Sequence, residues 1–241
     1  MRAPLAALLL LATLVLAADP EIAPFSIALP GPRLPSPWHE HYVPRVKASN
    51  VVLVDEDGAT VLEVRSRNSA GAAIHRLRAP AEGATLAWRW KIDRVVAAAD
   101  MDTREGDDFA ARVYVFFDVP PEELAVGERI ELAVARWLYG PDLPSAALCY
   151  VWDNRHAPGT SAWSAYTDRV RIVVLESGSK RAGEWVAERR DLAADYRAAF
   201  GALARVPPVS GIAAGNDTDQ TGETVTAWFG DFHLDTPEGV R

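Results

Sequence analysis

From Asp108 onward the chain alternates: Phe109, Ala111, Val113, Val115 and Phe117 fall on one side, Ala110, Arg112, Tyr114 and Phe116 on the other. A period of two is the side-chain repeat of a β-strand, so the stretch from Gly106 to Asp118 predicts a long central strand. One face is wholly apolar, and Phe109, Val113, Val115 and Phe117 are expected in the core. The other face mixes aromatics with an arginine that must find a partner or reach water.

The same alternation recurs along the chain. Asn50 to Val54 and Thr60 to Ser66 flank Asp57-Gly58 and predict a hairpin whose loop is longer than two residues. Gly71 to Leu77, Thr85 to Ile92, Ala147 to Trp152, Asp168 to Glu176, Trp185 to Asp191, Val209 to Gly215 and Thr224 to Leu234 predict further strands. In the second of these Leu86, Trp88, Trp90 and Ile92 share a face, which favours core packing over a sugar-stacking platform. In Ala147 to Trp152, Tyr150 and Trp152 lie opposite Cys149 and Val151. Only Ala193 to Phe200 and, with ERIELAV arguing equally for a strand, the segment 122–139 read as helix. Many short strands with little helix predict an all-β fold, a two-sheet antiparallel β-sandwich of jelly-roll type with one or two short peripheral helices.

The ends read differently. Arg2 followed by the apolar run Leu5 to Leu16 and the small residues Ala17 and Ala18 reads as a secretory signal peptide over 1–18, cleaved near Ala17 or Ala18. The run is too short to span a bilayer, for which about 20 apolar residues are needed. Residues 19–48 carry prolines at 20, 24, 30, 32, 35, 37 and 44 and predict an extended wrapping segment with a short edge strand at Phe25 to Ala28. One sandwich domain then covers 49–236, with a tail at 237–241. His39 and His41 sit two apart within the wrapping segment, a spacing that suits a metal only if a third ligand joins them.

Composition narrows the partners. The 241 residues are 49% hydrophobic and 24% charged, with a formal charge of −8 and a pI near 5.2. Nucleic-acid binders need a basic footprint, which this chain lacks, and no lysine run suggests an anionic membrane surface. Loss of Arg2 with the leader would take −8 to −9. Cys149 is the single cysteine, so an exported chain must fold without an intrachain disulfide, and its apolar setting reads as a buried thiol.

The blocks LAWRWKI (86–92), GDDFAARVYVFF (106–117), LCYVW (148–152), YTDRVRIVVLESG (166–178), GEWVAERRDLAADYRAAFG (183–201) and NDTDQTGETVTAWFGDF (216–232) together resemble the bacterial exported family catalogued as domain of unknown function 3047. The resemblance implies no reaction. The ending GEWVAERRDL, VSGIAA, TAWFGDFHL is also similar to the last strands of galactose-binding-like jelly rolls, where an acid in the last strand often joins a calcium site. Asp231 occupies the corresponding place, although Gly230 stands where a doubled acid is usual.

No G-x-S-x-G, H-E-x-x-H, phosphate loop or paired-cysteine motif occurs. The candidate ligand face is therefore assembled from strands: Arg112, Tyr114, Tyr150, Trp152, Arg169 and Arg171, with Asp168. Aromatics stack on sugar rings and arginine forks hold carboxylates or vicinal hydroxyls, so a glycan or other polar ligand is the expected partner. The competing reading is a buried salt-bridge layer in which Asp107, Asp108 or Asp168 satisfies the arginines. Asp217, Asp219 and Asp231 are candidate calcium ligands, Asp217 and Asp219 from a turn that reads more plainly as solvated. No cofactor is required. The expected function is an exported, periplasmic or secreted, glycan-binding sandwich, with a carbohydrate-active enzyme and a structural envelope protein as alternatives.

Overall fold

The computed structural model describes residues 22–120, 122, 124 and 145–237, so the expected leader (1–18) and nearly all of the 122–139 segment lie outside the described residues. In chain order the elements are β1 (His39–His41), β2 (Asn50–Glu56), β3 (Ala59–Arg67), β4 (Ala70–Ala79), β5 (Thr85–Ile92), β6 (Ala111–Phe117), β7 (Ala146–Asp153), β8 (Ser161–Ser164), β9 (Thr167–Ser177), β10 (Val186–Asp191), α1 (Leu192–Phe200), β11 (Val209–Asp217), β12 (Thr224–Phe229) and β13 (His233–Asp235).

The strands form two facing sheets. One has the order β1-β4-β11-β6-β7-β9-β8, the other β10-β5-β12-β3-β2 with β13 added beside β5. From β3 to β6 the chain changes sheet at every step, and β11 and β12 then slot between the strands already laid down, β11 between β4 and β6, β12 between β3 and β5. That wrapping is a jelly roll, and the molecule is a two-sheet β-sandwich. Among the named pairs, β7 and β9 alone run parallel. The reason is local: the chain leaves β7, forms the short edge strand β8 and turns back into β9, so the return strand repeats the direction of β7.

β6 occupies the middle of the seven-stranded sheet. Val113, Val115 and Phe117 are fully buried between the sheets, facing Trp88, Trp90 and Phe229 in one continuous apolar cluster. Burying such side chains stabilises by about 1.5–3 kcal/mol each. Trp88 and Trp90 are core residues, 3% and 0% exposed. Phe109 is buried too, but in a second cluster with Met101, Cys149, Val151, Ile172 and Val174 on the outer face of that sheet. Phe109 is thus in the core as expected, but the strand begins only at Ala111, so the period of two does not reach it and its expected place on the same face as Val113 is corrected.

Local chemistry explains two further departures. The Phe25 to Ala28 stretch is a turn rather than an edge strand. The Asp231 carboxylate accepts from the backbone N–H of Phe25 at 2.7 Å and of Ser26 at 3.0 Å, so those donors serve a side chain instead of a sheet neighbour. The β2–β3 loop is only two residues long: Asp57 at φ 55° and Gly58 at φ 81° make the left-handed pair that a tight hairpin requires.

Helix α1 is set by its ends and its buried stripe. Asp191 accepts from the Ala194 N–H at 2.9 Å, and Leu192, Ala193 and Tyr196 are the buried positions. Tyr196 meets Phe117 at a ring distance of 4.8 Å, which seats the helix over one end of the core. Tyr150 donates to Asp195 at 2.7 Å, and Arg190 grips the same carboxylate with two nitrogens at 2.6 and 2.8 Å.

Candidate functional site

The outer face of the seven-stranded sheet is where polar side chains gather. Register puts Arg112 opposite Gly215 and Tyr114 opposite Ala213 on β11, and the same β11 residues opposite Ala72 and Ile74 on β4. The floor of this face is thus mostly small: Gly215, Ala213 and Ala72 beside Ile74. Gly215 is small of necessity, since a Cβ there would lie 2.3 Å from the Gly71 carbonyl oxygen. Where large side chains are missing the surface sinks into a cleft of about 740 Å³, within the usual 300–1,000 Å³ of ligand sites. Its walls include His39 on one side, and Arg112, Tyr114, Phe116, Asp118 and Asp217 on the other. The Tyr114 and Phe116 rings lie nearly parallel, 5.9 Å apart.

Arg112 is the hub. Its Nε donates to Asp217 Oδ1 at 2.8 Å, its Nη2 lies 2.5 Å from Asp217 Oδ2 and also donates to the Asp107 carbonyl, and its Nη1 donates to the Tyr114 hydroxyl at 3.2 Å. The guanidinium also covers the Phe109 ring at 4.5 Å. With 6% of its surface exposed, Arg112 is a buried cation that keeps its charge because Asp217 and Asp107 face it. Burial, more than any other cause, pushes the Asp217 carboxyl up. Arg112 pulls it back, and the neighbouring Asp108 and Asp107 push it further. The Tyr114 phenol is pushed up by burial as well and stays protonated.

The acids around Arg112 come from two segments. Asp108 is fully buried and accepts from the backbone N–H of Thr221 at 2.6 Å and of Gln220 at 3.4 Å. One carboxylate oxygen from each of Asp108, Asp217 and Asp219 lies within 4.8 Å of the others. This acidic triad, with Asp108 buried and Asp217 and Asp219 half-buried, could hold a metal.

Of the seven residues expected on one ligand face, Arg112 and Tyr114 lie together in this cleft and the other five do not. Tyr150 and Trp152 pair with Val113 and Ala111 of β6 and therefore point between the sheets, 0% and 1% exposed. Their rings pack on Trp88 and Trp90 at 5.5 and 5.9 Å. Arg171 lies beside Leu148 and shares its side of the sheet, opposite to Arg112; it stacks over Trp163 at 4.8 Å and donates to Ser161 Oγ at 2.9 Å. Arg169, on the same side, donates to the Ser145 carbonyl at 3.3 Å. Asp168 is exposed next to it. The expectation of one face carrying all seven residues is corrected by register: adding strands edge to edge fixes which alternate set shares a face. Asp217 and Asp219 do meet, but their third partner is Asp108. Asp231 belongs to the other sheet, where Ser26 Oγ also donates to it at 2.6 Å and a smaller cleft of about 390 Å³ opens.

Phe116, His39 and the small-residue floor were not among the predicted site residues. Their signals were present: Phe116 shares the phase of Arg112 and Tyr114, and the runs AGAA (70–73) and GIAAG (211–215) offer a strand face with nothing to fill it.

Two sheets in a jelly-roll wrap, with a cleft on one outer face, define a β-sandwich of the kind that presents a lined surface groove. Residues 36–233 match the family described as protein of unknown function (DUF3047), and the chain belongs to that family. No curated protein matches it. Among solved structures it is similar to TmCBM61 in complex with beta-1,4-galactotriose (8% identity, 84% of this chain and 90% of that one, TM-score 0.37). It is also similar to the cellulose induced protein Cip1 (12% identity, 83% and 91%, TM-score 0.37) and to Trichoderma harzianum endoglucanase 3 from family GH12 (6% identity, 84% and 99%, TM-score 0.41).

Proposed function

We propose that the protein is an exported glycan-binding sandwich whose ligand lies in the cleft across Tyr114 and Phe116. The observation that carries this reading is the cleft itself: an open groove of about 740 Å³ with a small-residue floor and a two-ring aromatic flank beside hydrogen-bonding groups. Pyranose rings offer an apolar C–H face to an aromatic ring and hydroxyls around their rim. Tyr114 and Phe116 supply the first partner, and the Tyr114 hydroxyl, His39 and Asp118 supply the second. Arg112 fixes Tyr114 by its 3.2 Å hydrogen bond, so the platform is oriented before ligand arrives. Export rests on the leader-like first eighteen residues.

A glycan array probed with the chain tests the reading, followed by product analysis on every hit. Binding that leaves the oligosaccharide intact supports it, and silence across neutral and acidic glycans contradicts it. The enzyme reading draws on Asp118 and Asp217, two carboxylates lining the same cleft. Release of shorter oligosaccharides would move the conclusion there. For export, N-terminal sequencing of the fractionated protein must find a chain lacking the first seventeen or eighteen residues; an intact Met1 in the cytoplasm refutes it.

A further inference from the structure

We propose that the smaller cleft, on the outer face of the six-stranded sheet, binds a small carboxylate ligand through Arg89, at a site separate from the Tyr114 cleft. Trp88 and Trp90 point into the core, so Arg89 and Lys91, in the alternate phase of β5, point outward. Ala187 stands opposite Arg89 on β10, and His233 opposite Ala87 on β13. With Thr60 and Gly230 these residues line a cavity of about 390 Å³, a size that suits a small molecule.

Arg89 is held ready by two neighbours and answered by none. Its guanidinium lies over the Trp185 ring, 4.5 Å from the centroid. A Cβ on Gly230 would stand 2.6 Å from Arg89 Cγ and 2.7 Å from its Nε. The Gly230 backbone is not left-handed, so its missing side chain makes room for the arginine rather than relieving the chain. Stacking occupies the flat face of a guanidinium and leaves its in-plane N–H donors for a planar, two-oxygen acceptor. The other cations of this face are paired: Lys91 with Glu56, Arg189 with Asp235 at 3.1 Å and Arg65 with Glu63 at 3.4 Å. Among the described residues the Arg89 guanidinium has neither a carboxylate partner nor a hydrogen-bond acceptor, although it lines the cleft. The two acids in the lining are committed elsewhere. Glu188 takes the inward phase opposite Trp88, and Asp231 accepts from the N–H groups of Phe25 and Ser26 and from the Ser26 hydroxyl. One unanswered cation in a chain of formal charge −8 matches a monoanion, a carboxylate rather than a phosphate.

The site is independent of the glycan reading, and its test uses neither Tyr114 nor an oligosaccharide. Sodium D-glucuronate is titrated into the isotope-labelled full chain at constant ionic strength, with D-glucose, sodium acetate and inorganic phosphate in parallel, and backbone amide shifts are followed. The expected result is a saturable shift with glucuronate, centred on Arg89, Ala187 and Gly230, and none with glucose. Arg89→Gln should weaken it by about tenfold or more, the loss of a charge-assisted pair. Lys180→Gln, which removes the same charge from an exposed position elsewhere, should leave it unchanged. Gly230→Ala should weaken it as well, because the added methyl displaces Arg89. Both carboxylate results support the site: acetate binding as tightly as glucuronate assigns it to free acids, and weaker acetate binding assigns it to acidic sugars. No saturable shift with either carboxylate, shifts centred on other amides, an equal response to glucose, tighter binding of phosphate, or an affinity that survives Arg89→Gln overturns the proposal.

Discussion

Trp152→Ala separates the two possible phases of β7. Trp152 is 1% exposed, its ring is 5.9 Å from that of Trp90, and its Nε1–H donates to the Gly178 carbonyl at 3.0 Å. Truncating a buried tryptophan costs about 3–5 kcal/mol, lost transfer energy and cavity together. The Gly178 carbonyl also loses its partner, worth about 1 kcal/mol. A loss of about 4 kcal/mol lowers the melting temperature of a domain this size by about 8–16 °C, at 2–4 °C per kcal/mol. Urea denaturation followed by circular dichroism measures the change directly, and an unaltered m-value confirms that the transition is the same one. Were Trp152 on the ligand face instead, truncation would leave stability within about 0.5 kcal/mol of wild type, as surface changes do. That result would refute the register on which the cleft depends.

Val115→Asp places a charge in a fully buried position with no partner and should cost several kcal/mol, about 3–5 if the chain folds at all, whereas Tyr114→Ala should cost much less; urea titration compares them. Gly215→Ala drives a methyl toward the Gly71 carbonyl and the Ala72 Cβ, at 2.3 and 2.7 Å, so a destabilisation of about 1–3 kcal/mol and a shallower cleft are expected, and wild-type stability would refute the close approach of β4 and β11. Glu188 on β10 has its carboxyl pushed up to about 7, by burial first and by Glu176 second. A raised carboxyl binds its proton more tightly when folded, so its contribution to stability is complete below about 4.5 and lost as pH rises to about 7; Glu188→Gln should flatten that part of the curve of melting temperature against pH, and an unchanged slope would contradict the assignment. Burial pushes the Cys149 thiol up to about 12, so an aromatic disulfide reagent should find no thiol in the native protein at pH 8 and one per chain in denaturant.

The strands were legible because their alternation is a local property. Thr85–Ile92 has the bounds expected of it, and the core set Val113, Val115 and Phe117 sits where period two puts it. What alternation does not carry is relative phase. Arg112 and Trp152 each alternate correctly within their own strand, yet whether they share a face depends on which residue of β7 stands opposite which residue of β6, and that is fixed by long-range pairing. The same limit explains the acids. Asp217 reads as a turn residue in sequence, and only the antiparallel pairing of β11 with β6 brings it against Arg112, 105 positions away. Asp231 resembled a calcium ligand in its local context, but its partners at Phe25 and Ser26 lie over two hundred positions back. The reading of Arg112 as part of a buried ionic layer and the reading of Tyr114 as a ligand-facing ring are both compatible with the geometry, because one orients the other.

The central claim is that the Tyr114 and Phe116 face of the seven-stranded sheet is the ligand surface. Calorimetric titration of the best array glycan into wild type, Tyr114→Ala/Phe116→Ala and Trp163→Ala tests it most directly, with melting temperatures recorded for each. Aromatic–ring stacking lost at two positions should weaken binding by at least tenfold, about 1.4 kcal/mol, in the double variant while Trp163→Ala, on the opposite side of the sheet, binds as wild type does. Undiminished affinity in a folded double variant would contradict the account.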